Sequence, residues 1–249
     1  MGSIKRILFM ALLSSTVLIV AAEKHATVKI SHPVASVILM DAYRYLGTLD
    51  KFSFIAFTSN DDVYHDKMLI SYKHKIELDL QRPDKLRTHV VGDLKNRSTY
   101  LMNDTFTMID NGQNFYGQVE VPKTIDTALD YLFENFNIKS PLANLLYTDL
   151  DKRLTPKKKG YYFGTTEVDG ERCHHIGFSG EKNDFQLWIE AGETPLIRKF
   201  VIIDKSNKFM PRSATVIRWD IQPHFDEKHF LFAAPEGAER ISVLLKENK

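Results

Sequence analysis

The chain has a single cysteine in 249 residues, Cys173, so no internal disulfide is available to it. Its stability must come from a buried core, which a chain of this length can supply. It has no excess of either charge, with 33 basic against 32 acidic residues. Two of the basic residues, Lys5 and Arg6, lie in an N-terminal leader, and the remainder carries about −1. Balance of this kind, with no basic stripe interleaved with aromatics, argues against nucleic acid as a partner, because phosphate binding needs a basic face. The triplet Lys157-Lys158-Lys159 reads as a solvated loop before a strand rather than a membrane contact. Also missing are a P-loop, a Gly-x-Ser-x-Gly elbow, a Gly-x-Gly-x-x-Gly turn, a His-x-x-x-His pair and a second cysteine. Scattered carboxylates such as Asp61, Asp62 and Glu134 form no recognisable catalytic pair, and no cofactor or metal is expected. Asn96-Arg97-Ser98 and Asn103-Asp104-Thr105 match the glycosylation triplet, which matters only in a eukaryotic secretory route.

Long apolar runs are confined to the N-terminus. Lys5-Arg6 precede Ile7 to Ala22, and Val20-Ala21-Ala22 before Glu23 is an acceptable small-residue cleavage site. The pattern reads as a secretory signal peptide over residues 1–22, with an uncleaved anchor as the lesser alternative. No cysteine follows the cleavage site to carry a lipid. No later stretch is apolar for long enough to cross a bilayer, so the mature chain is expected to be exported without a transmembrane segment. There is no Gly/Ser linker and no repeat, and residues 23–249 read as a single domain.

What is present is mostly strand. Ile76, Leu78 and Leu80 alternate with Lys75, Glu77 and Asp79, which predicts one buried and one wet face and hence an antiparallel sheet. Turns at 81–84, Asn103-Asp104, Asn111-Gly112 and Asp169-Gly170 divide the strands, with Asn111-Gly112 a stronger hairpin signal than Asn103-Asp104. Strands are expected over 52–58, 68–80, 86–92, 98–102, 106–109, 115–121, 161–168, 172–178, 185–190, 197–204, 214–221 and 230–232. A helix over 36–49 carries Leu39, Met40, Tyr43 and Leu46 on one face.

Val119 to Leu150 interrupts the strands. Ile125, Leu129, Leu132, Phe133 and Phe136 form one helical stripe, Thr124 can cap its start and Asn137 can stop it. Ser140-Pro141 restarts a second helix with Leu142, Leu145 and Leu146 on its apolar face. Two greasy helices inserted among strands must bury those faces on a sheet. The fold class is therefore α+β, mostly β: a curved antiparallel sheet with an N-terminal helix and two inserted helices on its concave side. The inserted pair either plugs the core or forms a lid over an apolar ligand site. In the second case Leu129, Leu132, Phe133, Phe136, Leu145 and Leu146 would face Phe54, Trp188 or Trp219 across a cavity.

Several stretches carry a family resemblance: Arg82-Pro83-Asp84-Lys85-Leu86-Arg87, Pro122 to Leu129, Pro141 to Tyr147, Val168-Asp169-Gly170 with Cys173-His174-His175, Asp184 to Glu190, Pro195 to Lys199, and Phe230-Leu231-Phe232 with Pro235 to Ala238. Together they resemble a bacterial family of predicted periplasmic proteins of unassigned function. Members tend to have Asp-Gly where this chain has Asn103-Asp104. The 82–87 turn and the C-terminal ending also resemble the LolA/LolB lipoprotein-carrier fold, shared by part of RseB. That fold is an unclosed β-barrel with helices lying inside as a lid over a hydrophobic cavity. The resemblance implies a periplasmic, non-enzymatic protein with a hydrophobic ligand, such as a lipid or an acylated protein. It leaves two alternatives: an RseB-like interaction or envelope-stress sensing module with an envelope protein partner, and a hydrolase using Cys173 and His175. On a strand His174 points away from the other two, so Cys173 reads more simply as a small core residue, with the histidines capping a sheet edge.

Overall fold

The computed structural model describes residues 32–138, 141–154 and 160–245. The expected leader and the basic triplet at 157–159 lie outside them. Helix α1 (His32–Thr48) leads into β1 (Lys51–Tyr64), β2 (Met68–Gln81), β3 (Lys85–Gly92), β4 (Lys95–Met102), β5 (Thr105–Asp110) and β6 (Phe115–Glu120). Then come α2 (Ile125–Phe136), a 3-10 helix (Pro141–Leu146) and the short α3 (Leu150–Arg153). The second half holds β7 (Gly160–Val168), β8 (Glu171–Ser179), β9 (Asn183–Glu190), β10 (Ile197–Asp204), β11 (Arg212–Asp220) and β12 (Glu239–Arg240).

Among the described residues the twelve strands form one sheet in the order β12-β6-β5-β4-β3-β2-β1-β11-β10-β9-β8-β7. Every pairing is antiparallel except that of β12 with β6, and the two ends do not meet. Two meanders are thus joined at β1 and β11, and the chain from β6 to β7 must cross from one edge of the sheet to the other. That crossing is the inserted helical segment, and topology lays it over the concave face. No helix among the described residues is long and apolar enough to cross a membrane.

Local chemistry accounts for the elements. The β4–β5 turn puts Asn103 and Asp104 at φ 51° and 62°, and β7–β8 puts Asp169 and Gly170 at 50° and 86°. Two successive positive φ values match the right-handed twist of the flanking strands, and Asn, Asp and Gly tolerate them best. The β5–β6 connection departs from the expected two-residue turn at Asn111-Gly112. It is a four-residue loop in which Asn114 takes the left-handed conformation (φ 57°). Asp110 selects that form, since its Oδ1 accepts the N–H of both Gly112 and Gln113 at 3.1 Å.

Helix α2 begins and ends where its sequence says. Thr124 Oγ1 accepts the Thr127 N–H, and Thr127 Oγ1 accepts the Thr124 N–H in return. Asn137 closes the helix in the left-handed region (φ 55°). The expected second helix is a short 3-10 helix of two turns, Pro141–Leu146, which ends before Tyr147 to Asp149 redirect the chain. Leu142, Leu145 and Leu146 are nevertheless buried.

Residues 230–232, expected as a strand, form none. Each ring is drawn to a different partner: Phe230 sits fully buried against Phe225, and Phe232 packs between Tyr100 and Tyr116. This segment crosses the convex face, where His229 Nε2 meets Asp79 Oδ2 at 2.8 Å. It then joins the β6 edge as β12 and carries Ile241 to Val243 round to the concave side, where Val243 lies on Gly117.

Candidate ligand cavity

Register fixes which side chains face the hollow. Across β1 to β5, four rows stack from the covered end toward the open end: Phe52-Leu80-Leu86-Leu101-Phe106, then Phe54-Leu78-Thr88-Thr99-Met108, then Ala56-Ile76-Val90-Arg97-Asp110, then Thr58-His74-Gly92-Lys95. On the other side of β1, Trp219, Ile217, Thr215 and Ser213 continue these rows and one beyond. Two residues of strand separate each row from the next, so the four span about 20 Å.

The closed end is filled. Trp219 meets Phe52 and Phe54 edge to face at 5.4 and 5.0 Å, and its Nε1–H donates to the Ile197 carbonyl at 2.9 Å. Helix α1 seals the β7–β9 half of the hollow with Ala35, Leu39, Ala42 and Leu46, all buried. Gly47 makes the junction with the lid possible, because a Cβ there would come within 2.3 Å of the Thr148 carbonyl oxygen.

Beyond the filled end a cavity of about 310 Å³ lies between the sheet and the inserted segment. Leu129, Leu132, Ile138, Leu142 and Leu146 form its roof, Leu78, Leu86 and Phe106 line its inner part, and Phe200 stands in the row of Thr215 and Thr58. Hydroxyls follow along the wall: Thr88 pairs with Thr99 in the second row, Thr58 with Thr215 at 2.9 Å in the fourth, and one row beyond Ser213 donates to the Asn60 side-chain oxygen. His74, Lys95 and Arg97 stand at the open end. Arg97 is paired with Asp110 (3.2 Å). Burial and the neighbouring Lys95 push His74 below its ordinary pKa, which favours its neutral form. A groove of about 460 Å³, lined by Ile241 to Leu244 along β6, shares Arg97, Phe106, Met108 and Ile138 with this cavity.

The roof is held by polar contacts at one end. Arg82, in the β2–β3 turn, donates to the carbonyls of Leu49 and Leu146. Asp126 accepts the Thr148 N–H and hydroxyl. Arg153 grips Asp130 with two N–H groups at 2.8 and 3.0 Å and lies over the Tyr147 ring. Burial and the Asp130 carboxylate push the Tyr147 phenol up to about 12.

Of the residues expected at an apolar site, the cavity wall contains Leu129, Leu132 and Leu146. Leu145 is buried outside it. Phe136 is half-buried against Tyr131, and Phe54 and Trp219 belong to the filled end. Two expectations are corrected. Phe133 is 46% exposed, because the buried stripe runs through Ile125, Ala128 and Leu132 and leaves it on the flank. Trp188 stands on the convex face, stacked on His175 at 4.1 Å with Lys199 over its ring. Its phase was readable, since it alternates with Phe185, Leu187 and Ile189 and keeps step with Gln186 and Glu190.

Cys173, His174 and His175 do not converge. His174 faces the hollow and meets the Tyr162 hydroxyl at 3.1 Å, while His175 faces outward toward Gln186. They lie on β8, paired on both sides, rather than at a sheet edge. Burial pushes the Cys173 thiol up to about 11, which leaves it protonated and a poor nucleophile at neutral pH. Among the described residues no three His, Cys, Asp or Glu side chains gather in a metal-binding group.

Comparison with known proteins adds a family. Residues 35–244 match the family described as "Predicted periplasmic protein (DUF2092)". No curated protein matches the chain. Solved structures similar to it include the lipoprotein LppX of Mycobacterium tuberculosis, at 9% identity over 79% of this chain and 100% of that one, with a TM-score of 0.48. An uncharacterised conserved protein of Thermus thermophilus is 11% identical over 84% of this chain and 98% of that one, with a TM-score of 0.46. LprF of Mycobacterium bovis is 15% identical over 83% and 98%, with a TM-score of 0.45.

Proposed function

This chain belongs to the DUF2092 family of predicted periplasmic proteins, and on that premise we propose that it is an exported, non-enzymatic protein that holds an apolar chain, of a lipid or an acylated protein, between its sheet and its inserted helices. The observation that carries the reading is the cavity of about 310 Å³ under Leu129, Leu132 and Leu146. Pockets that bury small ligands run from about 300 to 1,000 Å³. The work done on the ligand is passive. Each methylene taken from water contributes roughly 0.8 kcal/mol, and entry requires the roof to lift. Its polar ties are gathered near Thr148 and Arg153, and at the other end Ile138 packs against the core. The family and the leader-like N-terminus support periplasmic residence, and one domain spanning residues 23–249 belongs to the same proposal.

The test is native mass spectrometry of protein purified from its own cells, joined to displacement of a fluorescent apolar probe. Bound lipid and a probe that Ala143→Trp excludes are expected. A chain free of lipid that takes up no probe overturns the reading.

One observation favours a second reading, a protein-interaction module. Phe57, Val216, Lys199, Trp188 and His175 run across the convex face in register, with Phe163 against His175. Phe57 and Phe163 are each 44% exposed. Capture of an envelope protein that is lost with Phe57→Ser and Phe163→Ser, in a chain that takes up no apolar probe, would support this module over the carrier.

A further inference from the structure

The wall of the cavity changes character along its length in a way that an apolar ligand alone does not require. Its innermost row is Phe and Leu throughout, the next mixes Leu with the Thr88–Thr99 pair, and the outer rows end in Arg97 and Lys95. Its lining contains three basic side chains, His74, Lys95 and Arg97, and no carboxylate. Two carboxylates stand close by and both are engaged: Asp110 with Arg97, and Asp93 through its Oδ2, which accepts the Lys73 N–H at 2.7 Å. Lys95 has no ion-pair partner among the described residues. Between it and His74 the register places Gly92, where a Cβ would come within 2.2 Å of the Lys73 carbonyl oxygen. That position therefore carries no side chain, and the β2 backbone with the His74 Cβ fills the space one would take.

We infer that the cavity takes an amphiphile with an anionic head, a carboxylate or a phosphate, held at the open end by Lys95 and Arg97 while its chain lies under Leu132 and Leu146. The inference rests on the proposed apolar-chain reading and adds the class of head group. A water-exposed lysine beside an apolar slot strengthens binding of an anionic group without requiring its full desolvation, and the contribution falls as salt rises. The paired threonines suit the passage between chain and head. Within each pair one hydroxyl donates to the other, which lowers the polarity of that stretch of wall and leaves one O–H per pair to turn toward water or the head.

The probes are dodecanoate, dodecanol and inorganic phosphate, each tested for displacement of a fluorescent apolar probe from the delipidated full chain. Dodecanoate is expected to displace the probe about tenfold better than dodecanol, with the ratio shrinking as ionic strength rises. In the Lys95→Gln, Arg97→Gln double variant the ratio should fall toward one. Equal displacement by the two in the native chain, or a ratio that survives the double substitution, overturns the head-group inference and leaves the apolar cavity standing. Inorganic phosphate that blocks dodecanoate at comparable concentration overturns it too, as a free-anion site. Failure of both amphiphiles, with the probe itself unbound, removes the cavity reading along with it.

Discussion

Arg82 Nη1 donates to the carbonyl of Leu146 at 2.8 Å, across 64 residues of chain. The same guanidinium donates through Nε to Leu49 at 3.0 Å and lies 3.7 Å from Asp126, with its side chain only 10% exposed. One side chain therefore joins the end of α1, the β2–β3 turn and the roof of the cavity. Replacing it by Met leaves two carbonyls without their donor and should cost about 2–4 kcal/mol in urea denaturation. Amide exchange across 142–150 should rise more than in β1. Arg82→Lys should recover only part of the loss, since one ammonium cannot reproduce the planar fork. Equal exchange in roof and sheet would show that Arg82 supports the fold without holding the roof.

Leu132 and Phe133 are neighbours with opposite fates. Leu132 is 2% exposed and roofs the cavity, while Phe133 is largely outside. Leu132→Ala should lose about 2–4 kcal/mol, toward the lower end because a void already lies beneath it. Phe133→Ala should lose under about 1 kcal/mol despite removing the larger side chain. Chemical denaturation of the two variants checks this, and a larger loss at 133 would refute the placement of the stripe.

Gly47 and Thr148 are packed backbone to backbone, which makes glycine at 47 a steric requirement. A methyl group there must push the Thr148 carbonyl away and strain the contacts of Thr148 with Asp126. Gly47→Ala should destabilise by about 1–3 kcal/mol and quicken exchange at the Thr148 amide. A substitution without effect on either would mean that the roof already yields at this point.

His74, His174 and His175 all have their pKa pushed below the ordinary value, in each case chiefly by burial. The unfolded chain therefore takes up protons that the folded one refuses. Above about pH 6.5 both states are neutral and stability is full, and as pH falls from there toward the folded pKa values stability is lost. The urea midpoint should decline over that window, and His74→Gln, His174→Gln and His175→Gln together should flatten the decline. A midpoint that rises on acidification would contradict the sign.

What could be read beforehand depended on how local the cause was. Thr124 and Asn137 bound α2 because a cap is decided within four residues, and Asp169-Gly170 turns because its left-handed pair is intrinsic. Trp188 was within reach of the same reasoning, since it is in phase with Gln186 and Glu190. The polar cavity wall was not. Lys95, Arg97 and Thr99 alternate with Asn96, Ser98 and Tyr100, and neither set is the more apolar, so nothing local says which looks inward.

The sequence by itself determined the alternation, the interrupting helix with its caps, and hence a curved antiparallel sheet with a covered face. These follow from backbone sterics and the spacing of apolar residues along the chain. Only the tertiary structure decided that Lys95 and Arg97 face the hollow, that Trp188 does not, and that space is left under Leu132. A strand offers both of its faces, and which one lies inside is set by its register with neighbours distant in sequence.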